Sequence, residues 1–181
     1  MTYRNVVSAV VRALAAETIT SAGGCDFEPK VQCAKQKGEI VGKEAAFLTD
    51  CWVFGRLHKS LSAAHWRVLV AKFSTHTDRK HAAIAELTKV MRSPAPERFL
   101  HCAVVTWALP KLPGVDGKRS TNVLPAGWYE MDNWADEPHP IKTQERWRRD
   151  IRKGLEREVD EALIEAQHIL DDEGLLVANA A

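Results

Sequence analysis

The chain has 181 residues, 45% of them hydrophobic, and 25 Lys and Arg balance 24 Asp and Glu to leave a formal net charge of +1. That is apolar material for the core of one substantial domain, with or without an appendage, and it places the chain in the soluble globular class. No stretch approaches the ~20 apolar residues that a membrane span requires.

The first helix is expected over Tyr3 to Glu17, where Val6, Val7, Val10, Val11 and Leu14 fall at helical spacing behind a cap at Thr2. The same stretch has the look of a short signal core, but Arg12 interrupts it and no cleavage site follows. Cysteines at 25, 33, 51 and 102 lack close pairing, so the expectation is a reduced, cytoplasmic protein. Residues 24 to 42 mix Gly, Pro and Lys without a period and read as a loop. Lys43 to Leu57 reads as a helix with Phe47, Leu48, Cys51, Trp52 and Phe54 as its apolar surface.

Ser62 then caps a third helix, with Leu61 and Trp66 spaced to close a hydrophobic staple and Trp66, Leu69, Val70 and Phe73 facing the core. After the linker STHTD, Arg79 to Val90 carries a stripe of Ile84, Leu87 and Val90. Residues 91 to 109, MRSPAPERFLHCAVVTWAL, combine a turn with a helix start. Proline suits the first position of a helix, and the residue before a proline is pushed out of helical geometry. The helix begins at Pro96 and buries Phe99, Leu100, Ala103, Val104 and Trp107. Arg92, Ser93, Glu97, Arg98 and His101 stay outside, at the positively polarised end that attracts phosphate.

Charge is segregated along the chain. Nine Lys and Arg against three acids between Arg56 and Arg98 give +6, and eight acids against Arg157 alone between Glu156 and Glu173 give −7. A basic middle and an acidic end suggest two different partners, with solvated faces as the plain alternative. Residues 79 to 109 fit a helix-turn-helix supported by the Ser62 helix. In that reading Arg98 is the base-edge contact, Arg92, Ser93 and His101 stand beside it, and Arg79 and Lys80 meet phosphates.

Residues 111 to 143 form a proline-rich arm. Pro113, Pro125, Pro138 and Pro140 with Gly114, Gly117 and Gly127 exclude a long helix. Leu124, Trp128, Tyr129, Met131 and Trp134 supply anchors, and Trp128, Tyr129 and Trp134 are the candidates for contact with a second protein. Residues 144 to 174 read as an amphipathic helix with Trp147, Ile151, Leu155, Val159, Ala162, Leu163, Ala166, Ile169 and Leu170 on one stripe, ended by Gly174. Its basic half precedes its acidic half, opposite to what the helix dipole prefers. RWRRDIRK, 146 to 153, reads as a solvated face slightly before a nucleic-acid contact. The expected architecture is mainly α: a helical DNA-binding domain over 1–110, the arm over 111–143, and the C-terminal helix over 144–174 packing on the domain or on a partner.

Seven histidines (58, 65, 76, 81, 101, 139, 168) and the cysteines lack metal-ligand spacing. There is no nucleophile elbow, P-loop or dinucleotide fingerprint. Asp132, Asp136 and Glu137 beside Trp134 are more simply solvated acids than a magnesium site. No catalytic residue, metal or cofactor is expected.

Three segments, KSLSAAHWRVLVAKFS, MRSPAPERFLHCAVVTWALPKLPG and GWYEMDNWADEPHPIKTQERWRRDIRKGLEREVDEALIEAQHIL, together cover roughly residues 59 to 170. They resemble the Q-type late-gene antitermination proteins of phages and prophages, and are most similar to the AlpA type that controls a bacterial lysis cassette. The resemblance implies a regulator that binds a double-stranded DNA element near a promoter through a helix-turn-helix. It further implies engagement of paused RNA polymerase, with sigma factor at loading, so that terminators are read through. Some Q proteins carry a zinc finger, and this chain lacks the spacing for one. Two other classes remain open, a DNA-binding repressor or activator without stable polymerase association and a phage structural or packaging protein.

Overall fold

Helical periodicity dominates residues 3–21, 43–112 and 123–176, the part of the chain that the computed structural model describes. Among these residues stand α1 (Val6–Ser21), α2 (Lys43–Ser60), α3 (Ala63–Phe73), α4 (Thr77–Val90), α5 (Glu97–Ala108), 3-10 turns at Ala126–Tyr129 and Met131–Asn133, and α6 (Ile141–Asp172). Tyr3 and Leu176 form an isolated parallel bridge. The fold is therefore all-α. The loop expected over 24–42, Thr2, and residues 113–122 of the arm lie outside the described residues.

Local chemistry sets most boundaries. Asn5 caps α1: its Oδ1 accepts from Ser8 N at 2.8 Å while Asn5 N donates to Ser8 Oγ at 3.3 Å, a reciprocal cap. Tyr3 is left outside the helix, buried, with its hydroxyl donating to Asp50 Oδ1 at 2.6 Å. Arg12 closes on the other oxygen of that buried carboxylate at 3.0 Å. Ser62 Oγ accepts from His65 N at 3.1 Å as the cap of α3. At the far end of α6, Gly174 takes φ +66, Leu175 N donates to Leu170 O at 3.0 Å and Gly174 N to Asp171 O at 2.9 Å. Those two bonds close a Schellman motif, and the positive φ explains why glycine stands there.

Three apolar faces differ from their sequence reading. In α1 the core side is Ala9, Val10, Ala13 and Leu14, with Val7 and Val11 toward solvent. In α2 it is Asp50, Val53 and Leu57, which leaves Trp52 48% and Leu48 44% exposed. In α4 Ala83, Ile84 and Leu87 are buried, whereas Val90 is 64% exposed at the last turn. In α1 and α4 alanines make the difference: they allow close helix approach, so a face containing them can win over one richer in large apolar groups.

α5 is largely enclosed, with eight of its twelve residues buried. α3, α4 and α6 all pack on it. α6 begins at Ile141, three residues before the expected start, and buries Gln144, Trp147, Ile151, Leu155, Val159, Ala162, Ala166 and Leu170. The apolar members of this set and the buried positions of α1 to α5 form one continuous core. The C-terminal helix is thus part of the same core as α1 to α5.

A polar junction fixes α6 against α3 and α5. Glu156 Oε1 accepts from Lys72 Nζ at 2.8 Å and from Trp107 Nε1 at 2.9 Å, and the Lys72 ammonium lies 4.6 Å from the Trp107 ring centre. Burial pushes the Glu156 carboxyl up, but the hydrogen bonds from Lys72 and Trp107 and the charges of Lys72 and Arg152 outweigh it and hold it below its ordinary value. Its contribution to stability is therefore complete above the ordinary glutamate value of about 4.3 and is lost as pH falls through the lower folded value. Glu156→Gln is expected to destabilise the protein at pH 7 by on the order of 1–2 kcal/mol. Urea denaturation at neutral and at acid pH, near the ordinary carboxylate range and below it, checks this, with the difference between variant and parent shrinking as the carboxyl is protonated.

Candidate nucleic-acid interface

The turn between α4 and α5 is held by its own residues. Ala95 N donates to Ser93 Oγ at 3.1 Å, and Pro96, with φ −53, opens α5 without any side-chain cap. The first amides of α5 therefore lack a capping side chain at the end where the helix dipole is positive. Arg92 is exposed in this turn. Arg98 is 57% exposed on the first turn of α5 and pairs with Asp136 of the arm. His101, half-buried, meets Trp128 edge-on with ring centres 6.1 Å apart. Arg98, His101, Cys102, Trp128, Asn133 and Trp134 line a cleft of about 420 Å³. Beyond this end, the burial of α5 leaves little for a ligand to reach.

The six candidate DNA contacts fall into two groups. Arg92, Ser93, Arg98 and His101 gather at the start of α5, while Arg79 and Lys80 sit at the start of α4, separated from Arg92 by the length of that helix. Arg79 is exposed, its guanidinium 5.7 Å from the Phe54 ring centre. Lys80 is half-buried and donates to Lys72 O and Ser74 O, each at 3.3 Å. Burial, and then the Lys72 charge, lower its ammonium from the ordinary lysine value. A cation on the last carbonyls of a helix is a stabilising arrangement. The ammonium of Lys80, expected at a phosphate, is engaged with the end of α3.

The arm also differs from its sequence reading. Trp134 is 1% exposed, packs edge-on against Phe99 with ring centres 5.2 Å apart, and donates through Nε1 to Trp128 O at 2.8 Å. It is a core residue, not an exposed anchor for a partner. Trp128 is half-buried against the same core. Tyr129 donates its hydroxyl to Leu109 O at 3.0 Å and accepts from Leu124 N at 3.2 Å. An indole gains more from burial against other aromatics than from water, so the described part of the arm folds back on α5 and α6.

A second basic surface follows from where α6 starts. Lys142, Arg146, Arg149 and Lys153 succeed one another at spacings of four, three and four along α6, and all four are exposed. The spacing is legible in the sequence, but a helix start at 144 leaves Lys142 out of the series. The buried stripe from Gln144 to Leu155 turns the opposite side of α6 inward.

Among the described residues, no group of three or more His, Cys, Asp and Glu side chains is arranged to hold a metal ion, and no helix is long and apolar enough to cross a membrane. Cys51 and Cys102 are free thiols, both pushed up by burial. No family model, curated protein or solved structure matches the chain.

Proposed function

We propose that the protein is a transcription antiterminator that binds a promoter-proximal element of double-stranded DNA and then joins RNA polymerase, with sigma factor at loading, to carry it through terminators. α4 and α5 serve as a helix-turn-helix, and the N-terminal turn of α5 meets the base edges. The observation that carries this reading is Arg98, exposed on the first turn of α5 with Arg92 in the turn before it. Residues near the start of a recognition helix are those that contact bases in such motifs. The resemblance of the α3, α4–α5 and α6 segments to Q-type antiterminators supports the polymerase step.

Arg98→Ala is expected to cost about 1–3 kcal/mol on the cognate element and much less on random duplex, as for removal of a base-edge hydrogen bond. Its pair with Asp136 is exposed, and such a pair contributes about 0–1 kcal/mol to folding, so the variant stays folded. Mobility-shift titrations on promoter fragments and on random duplex at fixed salt make the comparison. Equal losses on both would remove the recognition-helix assignment.

One observation favours a second reading, a DNA-binding repressor or activator without stable polymerase association. Trp134 is buried and Trp128 half-buried, so the aromatics of the arm offer less surface to a second protein. Terminator read-through in a purified transcription system separates the two: read-through supports the antiterminator, and promoter-specific repression without it supports the alternative.

A further inference from the structure

We infer that the exposed ridge Lys142–Arg146–Arg149–Lys153 on α6 is a contact surface for the phosphate backbone of duplex DNA, additional to the α5 end. This deepens the reading of the chain as a DNA-binding protein and does not depend on the role of Arg98. The spacing of four, three and four keeps the four cations on one line of the helix, about 16 Å from first to last. Among the described residues Lys142, Arg146 and Lys153 form no ion pair, and Arg149 reaches only its neighbour Asp150, at 3.5 Å. The second half of the same helix behaves differently, with Arg152 near Glu156 at 3.9 Å and Arg157 near Glu161 at 3.8 Å.

The ridge begins at the end of the helix where a cation is disfavoured. The first turn of α6 contains no acidic residue, and Lys142, the first cation of the ridge, stands there, where the helix dipole is already positive. The two positive contributions reinforce each other at a site where an anion would be stabilised by both. A polyanion is the complementary partner. Duplex rather than single-stranded nucleic acid fits because the ridge offers charge without a stacking platform: Trp147, the aromatic residue within its span, is turned into the core. Single-strand surfaces combine cations with aromatic rings on which bases stack, whereas a regular duplex backbone needs cations alone.

The test replaces Lys142, Arg146, Arg149 and Lys153 together by Gln in the full chain and measures affinity for a random-sequence DNA duplex across a salt series. The parent affinity should fall linearly in log salt, and the variant slope should be shallower by about 3 to 4, near 0.9 for each phosphate no longer neutralised. Affinity at low salt should drop on the order of tenfold or more. A companion variant, Arg146→Lys with Arg149→Lys, keeps the charge and should retain the parent slope. Thermal unfolding of the Gln variant should stay close to that of the parent, because the four side chains are exposed and surface substitutions of this kind change stability little. An unchanged salt slope in a folded Gln variant overturns the inference. A loss confined to single-stranded RNA of equal length, with duplex binding intact, overturns the choice of duplex DNA. If Arg98→Ala shows no sequence preference while the ridge variant loses duplex binding, the ridge stands and the α5 assignment falls.

Discussion

A chain ending at Pro110 is expected to lose cooperative folding altogether. The truncation removes α6, whose Trp147, Ile151, Leu155, Val159 and Leu170 are buried in the core shared with α1 to α5. At about 1.5–3 kcal/mol for each large apolar side chain, those five contribute on the order of 8–15 kcal/mol, as much as the whole stability of a typical domain. The cut also strands Lys72 and Trp107 without Glu156 and exposes the face of α3 that packs on α6. Circular dichroism and urea denaturation of the truncated chain read the result, with a broad, non-cooperative transition and loss of DNA binding expected together. A sharp transition with DNA binding retained would establish 1–110 as an autonomous domain, as the sequence alone suggests.

Trp134→Ala should destabilise the full chain by about 3–5 kcal/mol, the range for removing a large aromatic from a core. The indole is enclosed by Phe99, by the Trp128 carbonyl that accepts its N–H, and by the Arg148 guanidinium 5.7 Å from the ring centre. Trp134→Phe keeps an aromatic contact with Phe99 and gives up the hydrogen bond, so its cost should be nearer about 1 kcal/mol, plus a contribution from the smaller ring. Trp128→Ala, at a half-buried position, should fall between the two. Equilibrium unfolding in urea ranks the three. If Trp134→Ala left stability untouched and abolished read-through alone, the residue would be a partner contact and its burial against Phe99 would have no energetic role.

The fold class is legible in the sequence because it depends on local periodicity and punctuation. Ser62 before an apolar run, Pro96 at the head of FLHCAVVTWA, and Gly174 after the long stripe each specify a helix end through their own backbone and side-chain chemistry. The stripe from Trp147 to Leu170 is readable for the same reason, since a 3.6-residue period is a property of the chain itself. The exposure of Arg98 follows from the wheel of α5, and that of Arg92 from its place in the turn before it.

Tertiary packing decided the rest. Whether Val7 or Ala9 faces inward depends on how closely a neighbouring helix can approach, and no local pattern contains that distance. Trp134 reads as an anchor because its segment has no period, yet an indole beside Phe99 and a carbonyl acceptor is driven inward from either setting. Lys80 reads as a surface cation from its sequence neighbours, whereas the fold brings the carbonyls of Lys72 and Ser74 to its ammonium. The sequence by itself determined that the described chain is helical and where most helices end, because those choices are made within a few residues. Only the tertiary structure decided which charged and aromatic side chains remain available to a partner, because that is set by groups 6 to 84 positions away, as with Lys80 at Ser74 and Lys72 at Glu156.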